Sequence, residues 1–134
     1  MAIISYPHVT WQCQRCAKCC KDHGERKRRI LLTDHDMERI KEASIKERFC
    51  TIIKNNGPYR YQMILENGSC IFLSSNRCTI YNRRPLICRF YPFSMVEDGG
   101  YIFDVDADCL GVGLGKCATK KVFTKLVKEA KESL

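Results

Sequence analysis

The stretch "WQCQRCAKCC", Trp11 to Cys20, places cysteine at four of its ten positions, at spacings of three, three and one. Disulfides, a metal centre, or thiols packed as small apolar side chains would each explain it. Most of what the chain says about fold and function turns on that choice.

Cys13-x2-Cys16-x2-Cys19-Cys20 is two overlapping C-x2-C units. This spacing lets one tight turn present two sulfurs to a single ion at about 2.3 Å, with turn amides placed to hydrogen-bond the thiolates. Adjacent Cys19 and Cys20 would face opposite sides of an extended chain, which sends one of them to a second centre or a disulfide. Downstream, Cys70, Cys78, Cys88 and Cys109 follow at intervals of eight, ten and twenty-one, each at the edge of a strand-like run or a turn. These eight cysteines equal two four-ligand sites.

Ten cysteines in 134 residues approach the density of disulfide scaffolds. The start, Met1 to Pro7, lacks the basic region of a secretory signal, and no apolar run reaches the ~18 residues of a membrane span. The expectation is a cytoplasmic protein with no membrane partner. There, disulfides are rare and C-x2-C pairs usually hold metal. The disulfide-rich intracellular proteins of hyperthermophiles keep the disulfide reading open. Unligated packing gives no reason for the clustering. The formal charge of +8 counts every thiol as neutral. Two four-thiolate sites on divalent ions would lower it by about four, so the basic excess is weak evidence for nucleic acid.

The length suits a single domain over residues 1–134. "ILLT" (30–33) reads as a short strand, and Thr33-Asp-His-Asp36 has the form of a helix start. Met37, Ile40 and Ser44, then Ile45, Phe49, Ile52 and Ile53, predict one kinked helix or two short ones, stopped at Asn55-Asn56-Gly57-Pro58. Short strand-like pieces follow at 59–65, 70–73 and 78–81, separated by the turn sequences "ENGS" and "SSNR". Residues 93–106 predict a hairpin about Asp98-Gly99-Gly100. Residues 119–134 predict a helix, with Val122, Phe123, Leu126, Val127, Ala130 and Leu134 as its core stripe rather than a membrane-binding face. The fold class expected is α+β: short antiparallel strands, two or three helices, and irregular loops converging on metal.

"CQRCAKCC" followed by "CIFLSSNRCTIYNRRPLICRFYPF" resembles the YkgJ-like cysteine-cluster family, a zinc- or iron-chelating CxxCxxCC domain. The family's motifs fall on Cys13, Cys16, Cys19, Cys20, Cys70, Cys78, Arg84, Pro85, Cys88, Arg89 and Cys109, over roughly residues 10 to 117. Leu110 stands where the family commonly has Pro-Gly, and Cys50 and Cys117 lie outside the motifs. The resemblance implies a metal-binding domain with those eight cysteines as ligands. Members are often labelled iron–sulfur oxidoreductases, and a related domain occurs in flagellin lysine methylase. No reaction follows from this.

Other candidates are weaker. His23 could add an imidazole only by displacing a thiolate, and His8 and His35 read as surface or capping residues. Gly111-Val-Gly113-Leu-Gly115 mimics half a dinucleotide fingerprint without its βαβ setting, and fits better as a wrap around a sulfur. Arg26 to Arg29 could touch phosphate and Phe90 or Tyr91 could stack a base, but a charge run is more often a solvated edge. No nucleophile–base pair or paired carboxylates suggest an enzyme. The cofactor expected is an iron–sulfur cluster or zinc, because both accept four thiolates. The function classes are redox or electron transfer with a redox or protein partner, a structural zinc domain binding a partner or nucleic acid, and a metal-delivery module.

Overall fold

The apolar run at 30–33 forms the strand Leu31–Thr33, an edge of a three-stranded antiparallel sheet. Tyr59–Met63 is central and Cys50–Ile52 is the other edge. The computed structural model describes residues 3–14, 18–22, 27–43 and 48–134. It divides into two units, Ala17–Arg89 with Ser133–Leu134, and Met1–Cys16 with Phe90–Glu132. Among the described residues, short, mostly antiparallel strands with three α-helices make the class α+β, as the sequence predicts.

In the unit built on residues 17–89, helix α1 (Asp34–Ala43) begins where the sequence marks its cap. Thr33 Oγ1 accepts from the Asp36 amide and Asp36 Oδ2 accepts from the Thr33 amide, both at 3.1 Å. This reciprocal pair satisfies donors that a helix start otherwise leaves open.

The helix expected through Ile53 is not formed. Cys50–Ile52 is a strand, paired Cys50 to Met63, Thr51 to Gln62 and Ile52 to Tyr61. Asn55 to Gly57 makes the turn, with positive φ at Asn55 and Gly57. The β-branched residues Thr51, Ile52 and Ile53 favour extended chain once a partner strand is available. Phe49 points into the core while Ile52 is 77% exposed, so the residues are not one helical stripe. Ile45 lies outside the described residues.

Two tight hairpins come next. Leu65–Glu66 pairs with Ser69–Cys70 and Leu73–Ser74 with Arg77–Cys78. Positive φ at Asn67 and Gly68, and at Ser75 and Asn76, gives each two-residue loop the backbone twist that matches paired strands. A 3-10 turn (Tyr81–Arg83) and helix α2 (Leu86–Phe90) complete the run. The core here contains Ile30, Leu32, Ile40, Phe49, Met63, Phe72 and Ile80, together with buried Cys20 and Cys70.

The other unit is built from both ends of the chain. Phe93–Glu97 and Tyr101–Val105 form the predicted hairpin, and Ile4–Ser5 adds in parallel to Tyr101–Val105. Thr10–Trp11 pairs antiparallel with Lys116–Cys117. Helix α3 (Lys120–Ser133) presents Phe123, Leu126, Val127 and Ala130 to the core, as predicted, whereas Val122 and Leu134 are exposed. Phe123 is fully buried among the rings of Tyr6, Phe93 and Phe103, with centroids 4.8–4.9 Å away. Among the described residues no helix is long and apolar enough to cross a membrane.

Candidate metal centre

The unit of residues 17–89 brings five of the eight candidate ligands together. Cys20 and Cys70 are buried in its apolar core, and Cys19, Cys78 and Cys88 pack against the same cluster. Local structure explains each placement. Cys19 and Cys20 sit in a 3-10 turn (Lys18–Cys20), not in extended chain, so their sulfurs lie 3.9 Å apart and enter one cluster. This corrects the expectation that they diverge, because the tight turn removes the alternation of a strand. The turn is held to the first hairpin by the Asp22 amide donating to Gly68 O at 2.7 Å and by a bridge between Lys21 and Ser69. Cys70 and Cys78 end the two hairpins, and the Thr79 amide, donating to Phe72 O at 2.8 Å, extends the second hairpin past Cys78. Cys88 is carried by α2, whose first turn closes on Pro85 O.

The surroundings of these thiols are polarised. Cys19 is drawn down to about 6, chiefly by the hydrogen bond from the Cys20 thiol, with Arg28 and Arg84 assisting against the effect of burial. Cys20 is pushed up because its proton is held in that bond, because it is buried, and because other sulfurs surround it. Burial raises Cys70 and Cys78, opposed by backbone amides of Phe72 and Ile80 that donate to their sulfurs. Burial raises Cys88 to about 12. Ionising all five together without added positive charge would be costly, since desolvation and mutual repulsion act in the same direction.

Two arginines supply part of that charge. Arg28 donates from Nε to Cys19 O at 2.8 Å and its charge acts on Cys19, Cys70 and Cys88. Arg84 acts on Cys19 and Cys78 while its guanidinium lies 3.9 Å over the Tyr81 ring. Arg28 was expected on a solvated edge. A run of four basic residues does not tell which one turns inward, and here the carbonyl of Cys19 selects Arg28.

The donor set fits a thiophilic metal. Two thiolates on one tetrahedral ion at 2.3 Å stand about 3.8 Å apart, close to the Cys19–Cys20 separation of 3.9 Å. Amides directed at Cys70 and Cys78 are the contacts that stabilise metal-bound sulfur. Among the described residues, no three His, Cys, Asp or Glu side chains stand close enough as placed to hold an ion, so binding must draw the thiols inward. The nine described cysteines are free thiols.

The remaining candidates that the structure describes are not in this cluster. Cys16, His23 and Arg26 lie outside the described residues. Cys13 is exposed. Cys109 is buried in the other unit and accepts from Trp11 Nε1 at 3.4 Å. There the glycine loop closes on the end of the strand Thr10–Trp11, with the Gln12 amide donating to Gly111 O at 3.0 Å. A Cβ at Gly111 would collide with Gln12 O, so that close approach requires glycine. Cys50 packs on the core with its thiol 3.5 Å from Met37 Sδ, and Cys117 is exposed in the strand Lys116–Cys117. Phe90 is buried and stacks on Phe103, which removes it as a base-stacking platform.

Comparison with known proteins agrees with the donor chemistry. The model of the CxxCxxCC family, described as "Putative zinc- or iron-chelating domain", matches residues 12–126. Two uncharacterized proteins of Methanocaldococcus jannaschii are similar to the chain. MJ0939 is 29% identical over 96% of this chain and 46% of its own length; MJ0661 is 30% identical over 80% and 60%. The chain thus spans about half the length of these curated relatives. No solved structure matches it.

Proposed function

Since the chain belongs to the CxxCxxCC family of zinc- or iron-chelating domains, we propose that it carries a thiolate-ligated iron–sulfur centre used in electron transfer. Its ligands are drawn from Cys19, Cys20, Cys70, Cys78 and Cys88. The observation behind this reading is the gathering of five thiols from three separate stretches of chain into one core cluster. When bound, the centre supplies a site for reversible one-electron chemistry. The chain's own residues supply the rest. Arg28 and Arg84 hold positive charge beside the sulfurs, the Phe72 and Ile80 amides donate to them, and the apolar core limits water. Charge, hydrogen bonding and solvent exposure are the factors that set a cluster's potential. A reducing compartment such as the cytoplasm suits nine free thiols, and the role requires a redox partner protein. Cys13, Cys16 and Cys109 remain ligand candidates on their sequence positions.

A structural zinc site is the second reading, favoured by the burial of Cys20 and Cys70 in the core itself. There the metal would contribute directly to folding. Anaerobic purification with metal and sulfide analysis separates the two. Brown protein whose visible absorption bleaches on reduction supports the cluster. Colourless zinc protein that remains colourless after anaerobic reconstitution with iron and sulfide overturns it in favour of zinc.

A further inference from the structure

Asp36 is 1% exposed and lies on α1, not among the cysteines. Capping accounts for one of its oxygens: Oδ2 accepts from the Thr33 amide at 3.1 Å. The other reaches across fifty residues of sequence. Oδ1 accepts from the Leu86 amide at 3.0 Å and lies 3.6 Å from Arg89 Nη2, whose side chain is itself largely buried. Arg89 Nε in turn donates to Arg84 O at 3.2 Å. One buried carboxylate therefore holds the segment 84–89 at Leu86 and Arg89, and reaches Arg84 O through the Arg89 guanidinium. That segment presents the Cys88 thiol and the Arg84 guanidinium to the other sulfurs.

We propose that Asp36 is a positioning residue for the metal centre, holding Cys88 and Arg84 in register with the thiols of the hairpins and the 3-10 turn. The proposal rests on the cluster being a metal site, whichever metal it takes. A helix cap needs neither the contact to Leu86 nor the ion pair with Arg89. The ion pair holds the buried carboxylate and Arg89 together, since losing either partner leaves a buried charge uncompensated, and the Leu86 amide fixes the same oxygen. The segment from Pro85 is short, and its α-helix is a single turn. Such a turn has little stability of its own, so an external anchor decides where its cysteine points.

The test uses cobalt(II) as the probe in the full chain, because thiolate-to-cobalt absorption reports how many sulfurs bind and in what geometry. Asp36→Asn, Asp36→Ala and Arg89→Gln are compared with Thr33→Ala, which cuts the cap but leaves the contacts to Leu86 and Arg89. Expected are a cobalt affinity roughly 10- to 100-fold lower in the Asp36 and Arg89 variants, with an altered charge-transfer band, and a wild-type spectrum in Thr33→Ala despite a lower melting temperature. Should Asp36→Ala not fold, Asp36→Asn and Arg89→Gln decide the matter. Wild-type spectrum and affinity in the folded Asp36 and Arg89 variants would overturn the positioning role and leave the metal site standing. Failure of the wild-type chain to bind cobalt, zinc or iron would overturn both.

Discussion

At the scale of single residues, the thiols differ in what they do before metal arrives. Cys19, drawn to about 6 by the Cys20 hydrogen bond and the two arginines, is a thiolate at neutral pH, whereas Cys88, at about 12, keeps its proton. In metal-free protein at pH 7, alkylation should reach Cys19 well before Cys88, and its rate at Cys19 should fall as pH drops through about 6. Peptide mapping after brief iodoacetamide treatment checks this; equal labelling would show that the turn does not polarise Cys19. Stability follows the opposite sign at Cys88. A thiol raised from 9.0 to about 12 contributes stability below 9.0 that is lost as pH rises through about 12. The metal-free melting temperature should therefore fall across that window, and fall less in Cys88→Ala. The cysteine spacing was legible because it is a local pattern, and five of those thiols meet in one core cluster. Arg28 and Asp36 were not legible, because a charge declares its burial only through partners distant in sequence.

Elements tell a similar story about local and non-local information. The turns at 66–69 and 74–77, the 93–106 hairpin and the last helix could be read directly, since turn residues and a 3.6-residue stripe are local signals; of the expected strand 70–73 only Cys70 and Leu73 lie in strands, and of 78–81 only Cys78. Cys50–Ile52 could not, because its apolar spacing fits a helix until Tyr59–Met63 is placed beside it. The first hairpin also carries a load beyond its own strands. Gly68 has φ of +78°, and a Cβ there would lie 3.1 Å from Asp22 Oδ2, on the residue that ties the Cys19–Cys20 turn down. Gly68→Ala should cost about 1 kcal/mol or more in thermal or urea unfolding and also weaken zinc binding. Unchanged zinc affinity would mean that this tether does not set the position of the turn. By contrast, Phe123→Ala empties the space among three rings and should cost roughly 3–5 kcal/mol in denaturant unfolding.

For the molecule as a whole, a serine scan ranks the ten cysteines. Replacing Cys19, Cys20, Cys70, Cys78 or Cys88 should lower bound metal and the melting temperature together, because binding and folding share one free energy in small metallodomains. Cys117→Ser should leave metal content at the wild-type value, since its thiol is exposed outside the cluster. Cys50→Ser should do the same at a modest cost in packing. Full metal content after changing both Cys70 and Cys88 would show that the core cluster is not the site.

The path of the chain carries one more consequence, for the order in which the protein is made. The thiol-bearing unit is nearly continuous, Ala17–Arg89, whereas the other needs both Met1–Cys16 and Phe90–Glu132. During synthesis, all five clustered thiols are translated before the helix that brings Phe123. As proposed, the metal site lies wholly in chain made before that helix, so a chain truncated after residue 119 should already retain zinc in equilibrium dialysis; no bound zinc would show that the site forms only with the last helix.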